Sequence, residues 1–390
     1  MTRTCAILFL FTAGAAAEDT PKAVSRADKL TAIIKAHADA DAAFQKAVQA
    51  LGDTAEDRTK FEDLGKSLKS GYEERLSAAL GLASADPKSD DAMAALNWIL
   101  TIPPAYHTPT GVSAMQLAAE HHAANPKIGN TIACLGRRGP RDNQPKEYAA
   151  AMALVKAVAE KNPDRTARGQ AFRALAQQAI FRHAVAEYKR AKDADRLAAE
   201  AETALEVVVK DYGDCPRLGR RPNAKGETLA DDAGRELYAV RHLRVGKMAP
   251  DIQAESVAGP AFKLSDGRGK VVVLAFWASW CGPCMAMVPH EIKLAARLKD
   301  EPFALIGVNG DADRGQAREA AAKAKMTWPS FWDGPTDGDG PVCRAWNVRE
   351  WPTVYVLDAA GVIRFKGLPA AELDKAVDEL LNEMKDRKKK

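Results

Sequence analysis

At 390 residues the chain is long enough for two domains or three, and its 28% charged and 46% hydrophobic residues are ordinary for a soluble globular protein. A net charge of +4 over this length argues neither for nucleic acid nor for a membrane surface, so nucleic acid is set aside as a partner.

Residues 1–17 read as a secretory signal peptide. Arg3 supplies a weak basic start, residues 6–11 a short apolar run, and Ala15-Ala16-Ala17 a small-residue cleavage site before Glu18-Asp19. The apolar run is too short to span a bilayer and no later stretch qualifies. No cysteine follows it to accept a lipid. Export to a periplasm-like space, where disulfides form, is therefore the expectation. Cleavage removes Cys5 and leaves Cys134, Cys215, Cys281, Cys284 and Cys343, an odd number. Cys134, on a helical pattern, reads as a small buried hydrophobe. Cys215, beside Pro216, reads as an exposed loop residue. Spacing leaves a disulfide between these two open.

From residue 21 to 243 almost everything reads helical: Ala, Leu, Lys and Glu dominate and β-branched runs are few. Leu30, Ile33, Ile34, Phe44 and Val48 recur at helical spacing over 21–51. Phe61, Leu64, Leu68, Tyr72, Leu76 and Leu80 line one face of a helix over 54–82. Asp86-Pro87 ends that helix, Ser89 caps the next through residue 100, and Pro103-Pro104 stops it. Further helices are predicted over 110–124, 127–135, 146–161, 166–192, 194–212 and 229–243, separated by breakers such as Asn125-Pro126, Asn162-Pro163 and Gly213-Asp214. The rhythm over 146–212 suggests stacked helical hairpins, loosely tetratricopeptide-like, but no fixed period recurs. An irregular α-helical array over 18–244 is expected. His121 and His122 point about 100° apart on a helix and make no chelate, so a surface pair is expected.

Residues 245–390 change character. Strands are predicted over 252–255, 262–264, 271–276, 303–308, 353–357 and 362–366, and helices up to 298, over 314–325, 342–346 and 370–384. That is an α/β domain, a mixed central sheet flanked by helices. Within it stands Trp277-Ala278-Ser279-Trp280-Cys281-Gly282-Pro283-Cys284, between an apolar β-branched run and a helical pattern. Cys281 falls at the helix N-terminus, where unpaired N–H groups and the positive end of the dipole favour a thiolate. A thiolate with a second thiol one turn away is the minimum apparatus for thiol–disulfide exchange: Cys281 attacks and Cys284 resolves. Gly282-Pro283 keeps the turn tight and is expected to leave Cys281 the more exposed sulfur. A bare C-x-x-C fits half a zinc site as well, but no second ligand pair stands at usable spacing. No metal is expected, and no cofactor beyond a redox-active Cys281–Cys284 disulfide.

Pro289, five residues past Cys284 and placed to kink the helix, and Trp351-Pro352-Thr353 before Val354-Tyr355-Val356-Leu357 complete a pattern that resembles the thioredoxin fold. Gly246-Lys247-Met248-Ala249-Pro250-Asp251, with Leu264-Ser265-Asp266 and Gly269-Lys270, is similar to the extracytoplasmic TlpA-like branch of thiol-disulfide oxidoreductases. The resemblance implies action on protein thiols and disulfides, with electrons from a membrane donor. The Gly-Pro dipeptide is the one that reducing thioredoxins carry, which points to a disulfide reductase. Pro352 resembles the family's cis-proline, which faces the cysteines and leaves the preceding backbone to pair with an extended substrate. Trp351 would line that groove or pack in the core, Trp280 form the substrate rim, and Trp277 give internal support. Asp311 falls where an acidic side chain would hold the Trp277 indole N–H, with a solvated loop aspartate as the alternative.

One departure concerns the proton. Ala275 stands where many thioredoxins carry a buried carboxylate, and the 303–308 strand lacks the lysine that often pairs with it. Glu350 and His290 are the candidate acceptors by sequence proximity. Cys343 is either a buried thiol or an extra one near the active face. Peroxidase chemistry is disfavoured, because no Pro-x-x-x-Thr/Ser-x-x-Cys precedes either cysteine. The alternative from another class is a scaffold, in which the helical array binds a protein partner and the thioredoxin-like domain only docks.

Overall fold

The computed structural model describes residues 24–389 apart from 53, 103–104, 137–144 and 220–225. The signal-peptide reading, Cys5 and the Pro103-Pro104 stop lie outside the described residues.

Helices occupy the first part: α1 (Arg26–Gln49), α2 (Ala55–Ala85), α3 (Asp90–Thr101), α4 (Pro109–His121), α5 (Gly129–Leu135), α6 (Pro145–Lys161), α7 (Arg165–Tyr188), α8 (Ala194–Tyr212) and α9 (Leu229–His242). Their starts are written locally. Ser25, Thr54, Ser89, Thr108, Asp164 and Thr228 each accept a hydrogen bond from the backbone N–H three residues on. Thr54 with Asp57 and Thr228 with Asp231 complete reciprocal capping boxes. Leu76, Leu96, Ile99, Met115, Ile132 and Leu154 centre one core, and Leu205, Val208, Leu229 and Val240 a second between α7, α8 and α9. Two expectations are corrected here. Cys215 is buried, not exposed, with its thiol 3.6 Å from Arg165 Nη1, and no disulfide joins it to Cys134. His122 is buried, and burial lowers its pKa, so the histidines are not a surface pair. Packing of α4 against its neighbours turns one of the two inward.

The second part is a seven-stranded mixed sheet in the order β2-β1-β5-β4-β3-β6-β7. Its strands are β1 (Gln253–Ser256), β2 (Phe262–Lys263), β3 (Val271–Trp277), β4 (Phe303–Asn309), β5 (Ser330–Trp332), β6 (Thr353–Leu357) and β7 (Ile363–Lys366). β3, β4 and β5 are parallel, and the remaining pairs antiparallel. Helices α10 (Gly282–Arg297), α11 (Arg314–Lys323), α12 (Pro341–Ala345) and α13 (Ala370–Lys389) flank it, giving a thioredoxin-like fold. β5 was not expected. It is three residues long, follows Pro329 and carries no alternation, yet it joins β4 to β1. β3 is buried on both faces, as its unbroken apolar run requires. Val272, Leu274 and Phe276 pack with Tyr355, Trp346 and Leu243, at the end of α9. Val271, Val273 and Ala275 pack with Leu294 of α10 and Leu373, Val377 and Leu380 of α13.

The helical part is seated on the sheet part by polar contacts. Glu187 of α7 accepts from the Val245 backbone N–H at 2.7 Å and pairs with Lys366 of β7 at 2.6 Å. Arg190 pairs with Glu379 of α13 at 3.0 Å. Arg349, in the α12–β6 segment, reaches Asp232 of α9 at 2.8 Å.

Candidate active site

β3 ends at Trp277, and α10 begins five residues later at Gly282, with Cys281 as its N-cap. The Cys284 backbone N–H points at Cys281 Sγ from 3.1 Å, so the sulfur sits where the helix presents unpaired donors. Pro283 occupies the first turn, where its missing N–H costs nothing. The sulfurs are joined in a disulfide, with the α-carbons 5.2 Å apart. The expected asymmetry in exposure is absent: Cys281 is 4% and Cys284 3% exposed. Gly282 and Pro283 are exposed beside them. Cys281 is covered because both cysteines cluster with Trp277 and Ala278, and Trp351 packs against that cluster. α10 continues through Pro289 as one element.

Trp351-Pro352 is a cis peptide. Phe276 of β3 pairs with Thr353 of β6, which puts Pro352 beside the end of β3 and the redox turn. Thr353 Oγ1 donates to the Glu350 carbonyl at 2.6 Å. Trp351 meets Trp280 edge-on, with ring centroids 5.4 Å apart, while Trp280 itself is 49% exposed. Trp351 lies so close to Gly310 that a β-carbon there would fall 2.5 Å from its ring. Trp351 therefore packs between the cysteine cluster, Trp280 and Gly310. Trp277 is buried.

Asp311 is corrected in its partner. The Trp277 indole N–H goes to Ser330 Oγ of β5 at 3.3 Å, past Gly307, where β4 has no side chain in the way. Asp311 is only 1% exposed, so it is no solvated loop residue either. Its carboxylate accepts from the Ser279 backbone N–H at 3.0 Å, from Ser279 Oγ at 2.8 Å and from Asn309 Nδ2 at 2.7 Å. Its own carbonyl accepts from Trp332 Nε1 at 2.9 Å. Asp311 thus ties the turn before Cys281 to the end of β4. Ser279, which sequence reasoning passed over, is the link.

Both candidate proton acceptors stand beside groups outside the redox turn. His290 lies 3.4 Å from Asp374 of α13. Glu350 is exposed and lines a cavity with Ile180 and Glu236 of the helical part. Ala275 packs in the apolar cluster beneath α10 and α13. Glu291 was missed. It is buried on the α10 stripe that carries Cys284, Val288 and Leu294, two turns or about 10 Å along the axis from Cys284. Burial pushes its carboxyl up to about 7. The signal was in the sequence, a glutamate at the i+7 position of an apolar stripe. Cys343 is the buried alternative: its thiol is 1% exposed, and burial, then Asp333, raises its pKa.

Comparison with known proteins agrees with this geometry. Residues 245–366 match the model of the AhpC/TSA family. The thioredoxin-like protein YneN of Bacillus subtilis is 33% identical over 125 residues, covering 31% of this chain and 70% of that protein. The thiol-disulfide oxidoreductase ResA of Geobacillus kaustophilus is 31% identical over 122 residues, 31% of this chain and 68% of that protein. The thioredoxin domain of a thiol-disulfide oxidoreductase from Bacteroides vulgatus superposes with a TM-score of 0.33 at 26% identity, over 35% of this chain and 97% of that one. With a cysteine pair capping a helix beside a cis-proline, and these relatives, the chain belongs to the thioredoxin-like family of thiol-disulfide oxidoreductases.

Proposed function

We propose that the protein is an exported reductase of protein disulfides: a signal peptide over residues 1–17, an α-helical array over 18–244, and a redox domain over 245–390. The observation that carries the reading is Cys281 at the N-cap of α10, bonded to Cys284 and facing its backbone N–H. In the reduced enzyme the Cys281 thiolate attacks one sulfur of a substrate disulfide. That S–S bond breaks, and the departing sulfur leaves as a thiolate that takes a proton from water. Cys284 then loses its proton and attacks Cys281 Sγ, which releases the second substrate sulfur as a thiolate and closes the Cys281–Cys284 bond. The substrate gains two electrons and two protons, and the enzyme dithiol loses them. A membrane-held dithiol donor returns them by the reverse exchange. Gly282, Pro283, Trp280, Trp351, Pro352 and Thr353 border the substrate groove, with Trp277 and Asp311 as support.

The test is the reduction potential of the pair, by equilibration in thiol buffers and alkylation trapping. A value near about −270 mV supports a reductase, and one near about −120 mV a disulfide-forming oxidant. Cys281→Ser abolishes turnover, and Cys284→Ser accumulates the substrate as a mixed disulfide. If the pair shows no reversible transition, or partner binding survives loss of both thiols with no trapped disulfide, the scaffold takes its place.

A further inference from the structure

The segment that carries Trp351 and Pro352 has little backbone support. After α12, Asn347 turns the chain with φ +48, Val348 N–H bonds the Cys343 carbonyl at 2.8 Å, and β6 begins at Thr353. Among the described residues, no backbone–backbone hydrogen bond involves residues 349–352. What holds this stretch is side chains, and the strongest of these reach out of the sheet part altogether.

Arg349 Nη1 donates to Asp232 Oδ1 at 2.8 Å, and Nη2 to the Asp232 carbonyl at 3.3 Å. Arg349 Nε donates to Asn347 Oδ1 at 2.8 Å, which braces the segment against its own turn. On the α9 side the anchor is rigid. Asp232 and Glu236 are buried, and Arg173 of α7 pairs with Asp232 Oδ2 and Glu236 Oε1, both at 2.8 Å. Gln177 donates to Glu236 Oε1 at 2.7 Å. A planar guanidinium held by more than one acceptor fixes direction as well as distance. Two residues on, Trp351 packs against the cysteine cluster, and one further is the cis-proline.

We infer that Arg349 is a positioning residue: through Asp232 the helical array holds the Trp351–Pro352 rim of the substrate groove in register with Cys281. The array is then part of the groove's construction. This rests on the reductase reading, and the two are separable by experiment. The substrate is a peptide with an internal disulfide. A small aromatic disulfide, which has no backbone to pair with the groove, is the comparison. In the full-length protein Arg349→Ala lowers kcat/KM for the peptide about tenfold, mainly through KM, and leaves the small disulfide unchanged. Asp232 keeps Arg173 in this variant, so the fold is retained. Arg349→Lys, which keeps the charge without the fork, recovers part of the loss. Glu187→Gln weakens the Lys366 pair at the same junction, where its partners Val245 and Lys366 lie outside residues 347–353, and leaves KM for the peptide unaltered.

An unchanged peptide KM in folded Arg349→Ala overturns the inference, as does an equal loss in Glu187→Gln. Either outcome leaves the thiol chemistry standing. A wild-type enzyme that turns over neither disulfide overturns the reductase reading and the inference with it.

Discussion

Two buried carboxylates of the redox domain have different surroundings. Asp311 is surrounded by donors, the Ser279 N–H and hydroxyl and the Asn309 amide, so its lone pairs are used in fixing the turn before Cys281. Glu291 is buried on an apolar helix stripe, and its carboxyl is pushed up to about 7 by desolvation alone. A folded-state pKa above the unfolded one means the native protein keeps its proton longer. The associated stability is present at acid pH and falls as pH rises from about 4.5 through about 7. Glu291→Gln removes that dependence. Denaturant titrations at pH 5 and pH 8 should show the variant gaining on the wild type by about 2–3 kcal/mol over that interval. A constant difference at both pH values would show that burial does not govern this carboxyl.

Among the strands, β4 has little freedom at Gly307. Gly307 lies in register between Ala275 of β3 and Ser330 of β5, and the Trp277 indole bonds Ser330 across it. A β-carbon at 307 would sit 2.2 Å from Ser330 Oγ and 2.8 Å from Trp277 Nε1. Gly307→Ala should therefore cost about 1–3 kcal/mol by overpacking and displace the indole, read as a lower denaturant midpoint and altered Trp fluorescence. An unchanged midpoint would mean that β5 can slide away. The short β5 is what makes this contact: it closes the gap between the parallel strands and the β1–β2 hairpin, and its side chains meet the support beneath the redox turn.

At the scale of the whole molecule, the junction between helical array and sheet combines weak and strong links. Tyr188 to Glu372 and Arg190 to Glu379 are exposed and contribute little. Asp232 is different. Burial opposes its charge, but Arg173 and Arg349 more than offset it and hold its pKa below the usual carboxylate range. A depressed pKa contributes stability that is present above the unfolded value and lost as pH falls below about 4. Asp232→Asn should thus cost up to about 3 kcal/mol at neutral pH, because buried Arg173 keeps only Glu236 of its two counter-charges, and should blunt the acid transition. A variant as acid-sensitive as the wild type would place that transition elsewhere.

The sequence alone determined what is local. Caps such as Ser89 announced helix starts, the unbroken apolar run of β3 announced a buried strand, and Cys281 at a strand-to-helix turn announced its chemistry, because each depends on neighbours within a few residues. Pro352 was legible through resemblance to a family, and the sheet with flanking helices through the order of strand and helix patterns. Only the tertiary structure decided which distant groups meet. It gave Asp311 to Ser279 and the Trp277 indole to Ser330, packed Trp351 against the cysteine cluster, buried Cys215 and His122, and joined Arg349 to Asp232. Spacing along the chain sets the direction of a side chain on its own element, but partners on other elements are set by how those elements pack, and a hydrogen bond tolerates only a few tenths of an ångström.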